Sequence, residues 1–363
     1  MDLSQYHKKG YTGLSNLGNT CFLNSSMQVL NHTYELNAFL KSPKFTKILK
    51  PDLPDANILV EWAELQDIMW ANNGAVSPNK FVYNVHKLAK EKGKELFTGW
   101  AQNDMPEFLL FMIECMHNSI SRNMEMRILG NIENDVDTMA TACYTMLKRV
   151  YSTEYSEIME MFYGIYVSEI AALTGQTVHS IKPENFFMLD LPILPSPLLQ
   201  HSDNQQQHGP ITLEDCLDAF THSEVLEGDN AWFNEKTGQK ENIRKRITFW
   251  NFPKILVITL KRFSPCGRYK IDHLIPFPLQ NLDLSKYCSG YNPSQYMYDL
   301  YGVCNHFGGV QGGHYTSYVL NSMGEWIHFN DTRVDIMSNV SSEDASSVVS
   351  PNAYCLFYRK KNN

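Results

Sequence analysis

Around Phe162-Tyr163-Gly164 the pattern of this sequence changes from helical to extended. Residues 12–120 repeat apolar side chains at spacings of three and four, and 121–160 continue in that style with few Gly or Pro breakers. In "AQNDMPEFLLFMIECMHNSI", Phe108, Met112 and Cys115 share a helical face, and Pro106 suits a first turn. Beyond the change, "FFMLDLPIL" and "KILVITLKRF" alternate or cluster β-favouring apolar residues, with "ITLEDCLDAF" reading as a short helix between them. From Tyr298 onward, "YDLYGVCNH", "HYTSYVL", "EWIHFND" and "AYCLFYRK" read as successive strands joined by short turns. Helices first and strands after predict an α+β architecture, not a β-α-β repeat. "HSDNQQQHGP", residues 201–210, is a polar loop and the best candidate for disorder.

The 363 residues can bury a large core, as one big domain or two to three smaller ones. A net charge of −8 without a basic stripe gives no reason to expect nucleic acid, and it would suit a partner with a basic surface. The polar start lacks the apolar core of a signal peptide, and no apolar run is long enough to span a bilayer. An intracellular protein, cytoplasmic or nuclear, without membrane contact is expected. Its eight cysteines are scattered with no CxxC pair, which fits core thiols in a reducing compartment.

One cysteine stands apart. In "NLGNTCFLNSSMQVL", Leu23, Met27, Leu30 and Tyr34 mark one face of an amphipathic helix, which puts Cys21 in its first turn with Asn19 and Thr20 as cap candidates. Backbone N–H groups and the positive end of the helix dipole there would favour a thiolate. A buried cysteine packing as a small hydrophobe is the plainer reading for such a residue taken singly.

A catalytic cysteine needs a base and a group that orients the base. His314 in "GGVQGGHYTSYVL" follows glycines at 308, 309, 312 and 313, where bare backbone lets another chain approach closely. Alone, that segment reads better as a hairpin turn with a surface histidine. Sixteen residues on, Asn330 and Asp331 end an aromatic strand and could turn back to His314, although an Asn-Asp turn is common. Asn16 could donate its amide to an oxyanion, or merely cap a loop.

Taken together and in this order, these segments resemble the ubiquitin-specific proteases, the papain-like cysteine deubiquitinases. "GLSNLGNTCFLNSSMQVL" is similar to their cysteine box and "GGHYTSYVLNSMGEWIHFNDTRV" to their histidine box. "QNDMPEFLLFMIECMH", "FPKILVITLKRF", "YKIDHLIPFP" and "AYCLFYRK" also match in family order. The resemblance spans about residues 11–360 as one catalytic domain. It implies a right-hand architecture: a mainly helical thumb over about 11–155, fingers with part of the palm over about 156–265, and a mainly β palm over about 266–360.

The resemblance further implies thiol-dependent hydrolysis after the C-terminal Gly-Gly of ubiquitin, on ubiquitinated proteins, with a monomer expected. Cys21 would be the nucleophile, His314 the base, Asn330 its orienting partner with Asp331 as a second contributor, and Asn16 the oxyanion donor. Gln102, Asp104, Glu107, Gly312, Gly313 and Tyr315 fall at substrate-binding positions. There the glycines would wall a tunnel too narrow for side chains, and Asp104 and Glu107 would meet the arginine-bearing ubiquitin tail.

The family's fingers often carry two CxxC pairs that bind one structural zinc. The aligned positions here are Ala171, Thr174, Asn234 and Thr237, none of them a good zinc ligand, so no metal or other cofactor is expected. Tyr166, Trp232 and Phe233 are expected to pack the fingers in its place. A protease for another Gly-Gly modifier, or a non-catalytic ubiquitin-binding module, are the alternatives. Cys21, His314, Asn330 and Asn16 all being present argues against the second.

Overall fold

The computed structural model describes all residues except 1, 95, 100, 175–176, 195–208, 265–266, 310–311, 338–346 and 362–363. Cys266 and most of the polar loop at 201–210 thus lie outside the described residues.

The chain begins with a short strand, β1 (Thr12–Leu14), and then helices α1 (Cys21–Asn31), α2 (Tyr34–Leu40), α3 (Pro43–Ile48) and α4 (Pro54–Ala71). Strand β2 (Gly74–Val76) pairs in parallel with β1, and α5 (Asn79–Glu91), α6 (Met105–Ile120), α7 (Asp135–Glu154) and α8 (Glu157–Phe162) follow. The change of pattern at Phe162-Gly164 is where α8 ends and the long strands start. These are β3 (Gly164–Ala172), β4 (Val178–Phe186) and β5 (Met188–Leu191), then α9 (Leu213–Thr221). Next come β6 (Glu224–Leu226), β7 (Trp232–Asn234), β8 (Gln239–Glu241), β9 (Ile243–Asn251) and β10 (Ile255–Leu260). The chain closes with β11 (Leu282–Asp283), β12 (Met297–Gly309), β13 (Gly312–Leu320), β14 (Trp326–Asn330), β15 (Arg333–Met337) and β16 (Ala353–Lys360).

Two sheets organise most of these strands, with β1-β2 and β7-β8 as separate two-stranded pairs. The larger runs β15-β14-β13-β12-β16-β10-β5, with β11 beside β12; the smaller runs β4-β3-β9-β6. The order of helices before strands, and the α+β class with its palm-like and finger-like sheets, are as the sequence predicts.

The continuous apolar runs follow from burial on both faces of the larger sheet. Ile255, Val257, Cys355 and Phe357 point into a core shared with α1, α4 and α6. Their neighbours Leu256, Ile258, Leu356 and Tyr358 point into a second core with α9. Each such side chain, fully buried, contributes roughly 1.5–3 kcal/mol.

Three local expectations need correction. Residues 121–134 do not continue the helical run; the chain is largely irregular there until Asn134 caps α7 through the Asp137 N–H. Gly130, with φ of 114°, and the asparagines around it suit such a connection. Strand β15 (Arg333–Met337) follows the Asn-Asp turn, where the sequence predicts a turn alone. The helix from Cys21 is also not amphipathic in place: all eleven residues of α1 are buried, and it ends before Tyr34, which opens α2. Its polar side chains are sockets for other segments, as when Gln28 donates to the Thr12 carbonyl at 2.8 Å.

The segment 121–160, without a motif in the sequence, finds its place here. Met139, Ala140 and Cys143 of α7 form a small core with Ile165, Val167 and Trp250, bracing one face of the smaller sheet.

Candidate active site

The loop before α1 is shaped by its own backbone. Gly18 and Asn19 both have positive φ, which wraps residues 16–19 over the helix start. Thr20 is the residue at the cap position, but its hydroxyl accepts from the Leu17 N–H at 2.9 Å and caps nothing. The first helical N–H groups are left to Cys21 itself: those of Cys21, Phe22 and, across the cleft, Tyr315 face its sulfur.

Those contacts do not win. Burial raises the Cys21 thiol above its ordinary pKa, Tyr315 N–H pulls it back, and the Asp331 charge pushes it up again. The expectation of a favoured thiolate is therefore reversed. At rest Cys21 is a thiol, 3% exposed, and it needs a base to become a nucleophile.

The other wall is the β12–β13 hairpin with β14. His314 lies near the start of β13 and Asn330 ends the neighbouring β14. His314 Nε2 is 2.7 Å from Asn330 Oδ1. An amide oxygen only accepts, so Nε2 carries the proton and Nδ1 keeps a lone pair. Among the described contacts, no hydrogen bond joins the Cys21 sulfur to the His314 ring; such bonds often form only with substrate in place.

Asp331 does not touch His314 among the described contacts; it faces the opposite way. Its backbone has φ of 50°, its carbonyl accepts from Leu14 N–H at 2.9 Å, and its carboxylate accepts from Asn16 Nδ2 at 3.0 Å and Asn24 Nδ2 at 2.8 Å. The turn lies so close to β1 that a Cβ at Gly13 would stand 2.5 Å from the Thr332 carbonyl oxygen. Two adjacent residues thus serve two different partners, Asn330 the histidine and Asp331 the asparagine.

Gln102 and the glycines lock together. Gln102 Nε2 donates to the Gly313 carbonyl at 2.8 Å, and its Oε1 accepts from Gly313 N–H at 2.6 Å. A Cβ on Gly312 would stand 2.7 Å from Gln102 Oε1, and one on Gly313 would collide with the Phe307 carbonyl and the His306 ring. The bare backbone here is therefore required by the protein's own neighbouring backbone and side chains.

Asp104 stands at the cap of α6 and accepts from Tyr315 OH at 3.2 Å and Tyr354 OH at 3.0 Å. Glu107 lies one turn on, exposed. Gln102, Asp104, Gly312, Tyr315 and Tyr354 line a cleft of about 390 Å³ leading to the histidine strand. Sequence reading missed Tyr354 and Asn24. Tyr354 sits inside a recognised segment but looks like any strand aromatic, and Asn24 looks like the polar face of an amphipathic helix.

The finger positions aligned with zinc ligands do not fit a metal. Ala171 is a buried strand residue. Asn234 Nδ2 and the Thr237 hydroxyl both donate to Glu241 Oε1, at 2.9 and 2.7 Å. His179 Nε2 stands 3.8 Å from the other Glu241 oxygen, and its ring lies 5.7 Å from that of Trp232. Of the aromatics expected to pack there, Tyr166 stacks on Phe186 and donates to Glu184, whereas Phe233 is 55% exposed and packs little.

Comparison with known proteins places the arrangement. The family model described as ubiquitin carboxyl-terminal hydrolase matches residues 12–358. The chain is 34% identical over 358 residues to human ubiquitin carboxyl-terminal hydrolase 2, covering 96% of this chain and 55% of that protein. Chicken ubiquitin carboxyl-terminal hydrolase 2 is 33% identical over 362 residues, covering 96% of this chain and 93% of that protein. The chain spans about half the length of most of the hydrolase 2 relatives it matches. Among solved structures, the SAGA Ubp8/Sgf11/Sus1/Sgf73 DUB module bound to ubiquitin aldehyde superposes with a TM-score of 0.71. Identity there is 24%, covering 100% of this chain and 72% of that one, which speaks for the fold alone. With a family model spanning all but the ends and a relative matched almost end to end, this chain belongs to the ubiquitin carboxyl-terminal hydrolase family.

Proposed function

We propose that this protein is a thiol deubiquitinase that hydrolyses the bond after the C-terminal Gly-Gly of ubiquitin. The observation that carries the reading is the seam itself. Cys21 at the start of α1 faces the strand bearing His314, whose Nε2 is held by Asn330 so that Nδ1 is free to act as base.

In the first step Nδ1 takes the thiol proton as the sulfur attacks the glycine carbonyl. The negative oxygen is met by the amide of Asn16. That amide spends both carbonyl lone pairs on Gly18 N–H and Thr20 N–H, at 3.0 and 3.1 Å, and one N–H on Asp331. One N–H remains for the oxyanion. The imidazolium then protonates the departing amine, leaving a thioester. Water attacks the thioester with His314 again as base, and carboxylate and free thiol are regenerated.

Ubiquitin and ubiquitinated proteins are the proposed partners, with Asp104 and Glu107 offering carboxylates to the tail's arginines. Every residue of the seam comes from one chain, which supports action as a monomer. Cys304 and Cys355 lie opposite each other on paired strands and are both free thiols, which suits a reducing, intracellular compartment. The fingers are proposed to work without zinc, closed by the cluster around Glu241; elemental analysis finding one zinc per chain would refute that.

The deciding experiment is fluorophore release from the C-terminus of ubiquitin, with Cys21→Ala in parallel and a second Gly-Gly modifier as a specificity arm. Release from ubiquitin that vanishes in Cys21→Ala, while ubiquitin still binds, is the expected result. Release only from the other modifier moves the substrate; binding without release by the wild type leaves a non-catalytic module.

A further inference from the structure

Asn24 sits in the first turn of α1, 2% exposed, between the nucleophile's helix and the turn after β14. Its amide nitrogen is 2.8 Å from Asp331 Oδ1, with the Leu14 and Ser15 carbonyls farther off at 3.3 and 3.4 Å. Its own Oδ1 is buried and unpartnered. A buried amide with an orphaned oxygen is costly, so it is poorly explained as packing.

What Asn24 holds is Asp331, the acceptor for the exposed Asn16 amide nitrogen, while the Asn16 oxygen is held separately by the Gly18 and Thr20 N–H groups. Asp331 Oδ2 accepts from Asn16, and among the described residues no lysine or arginine pairs with Asp331. Its carboxylate is therefore oriented by two neutral amides, one on each oxygen. If the Asn24 bond is lost, the carboxylate can rotate about its own axis. The Asn16 N–H that points to it then loses its fixed acceptor; with the oxygen still held by Gly18 and Thr20 N–H, the amide tilts about that oxygen, and the N–H left for an oxyanion tilts with it.

We propose that Asn24 is a positioning residue of the oxyanion site, acting on Asn16 through Asp331. The inference rests on the deubiquitinase reading and deepens it: the oxyanion donor is aimed by a relay, Asn24 to Asp331 to Asn16. The relay ties donor geometry to the same helix that carries Cys21.

The test is steady-state release of aminomethylcoumarin from the ubiquitin C-terminus by wild type, Asn24→Asp, and the double variant Asn24→Asp/Asp331→Asn. Asn24→Asp sets carboxylate against carboxylate; kcat should fall ~10–10²-fold, short of the ~10²–10³ of losing a donor outright, with KM within about twofold. The double variant exchanges donor and acceptor and restores both bonds, and it should recover at least about tenfold in kcat over Asn24→Asp. Asn24→Ala serves if Asn24→Asp does not fold; its loss should again be in kcat, with ubiquitin affinity unchanged in a Cys21→Ala background.

An Asn24→Asp kcat equal to wild type, a double variant without recovery, or a loss confined to KM overturns the relay alone. A wild type that releases nothing overturns the proposed activity, and the relay with it.

Discussion

The candidate catalytic seam and the fingers are built on different principles. In the seam, side chains bond across great sequence distances: Asn16 to Asp331 spans 315 residues, Tyr354 to Asp104 spans 250, and Gln102 to Gly313 spans 211. In the fingers Arg246 still reaches Glu169 across 77 residues, but the bonds around Glu241 and Glu184 close locally. Thr237 and Asn234 reach Glu241 across four and seven residues, and Tyr166 reaches Glu184 across 18, on top of the strand ladders. A seam residue has partners on several segments, so one change disturbs several positions at once. A local closure can be replaced by another of the same span. This is why a family resemblance can be strong in the cleft while finger positions aligned with zinc ligands carry donors to a carboxylate instead.

The comparison breaks if changes in the two regions cost the same kind of activity. Asn16→Ala should have the largest effect of the four considered, lowering kcat ~10²–10³-fold with little change in KM, as read by ubiquitin C-terminal fluorophore release. Gln102→Ala removes two bonds to Gly313 and frees the backbone just before His314. The expected loss is roughly tenfold in kcat/KM, about 1–2 kcal/mol, on the same assay.

Glu241→Ala should act differently. It removes the acceptor for Asn234 and Thr237, so ubiquitin should bind a few-fold more weakly in a Cys21→Ala background while kcat of the otherwise wild-type enzyme holds. A fall in kcat comparable to that of Gln102→Ala would erase the distinction between the regions.

The smallest effect on activity comes from the ion cluster at the start of α8, whose readout is stability. Glu157 takes both Arg122 guanidinium nitrogens at 2.6 and 2.8 Å, and Lys44 at 2.6 Å. Burial pushes its carboxyl up, but the bonds from Arg122 and Lys44 outweigh this and hold it at about 2. A carboxyl lowered from its ordinary value of about 4.3 stabilises the fold above that pH and loses the contribution as pH falls toward 2. Melting curves of wild type and Glu157→Gln should therefore differ at pH 6 and converge between about pH 4 and 2. Curves that stay parallel over that range would remove the carboxylate from the account.

Much of the site was legible because its chemistry needs particular atoms. A thiol, an imidazole and amides cannot be replaced by similar shapes, so Cys21, His314, Asn330, Asp331 and Asn16 stand out by type and order. Gln102 and Asp104 came with the family pattern of their helix. Asn24 did not stand out, because an asparagine one turn into an apparently amphipathic helix reads as solvent-facing. Only the packing of β1 and the Asp331 turn on that face shows it is enclosed. The direction of the Cys21 titration was misread for a related reason: helix N–H groups are local and visible in sequence, whereas burial under β13 is not.

By itself, the sequence determined the α+β order, the apolar strands of the larger sheet and the family, and it singled out the candidate reacting groups. These follow from periodicity and functional-group identity, both written residue by residue. Only the tertiary structure decided that Asp331 turns to Asn16 and Asn24 while Asn330 turns to His314, that α7 braces the fingers, and that Glu241 gathers the fingertip. Each depends on which side chains lie within about 3 Å after the chain has closed on itself, and hydrogen bonding at that range is set by packing between segments that the sequence lists far apart.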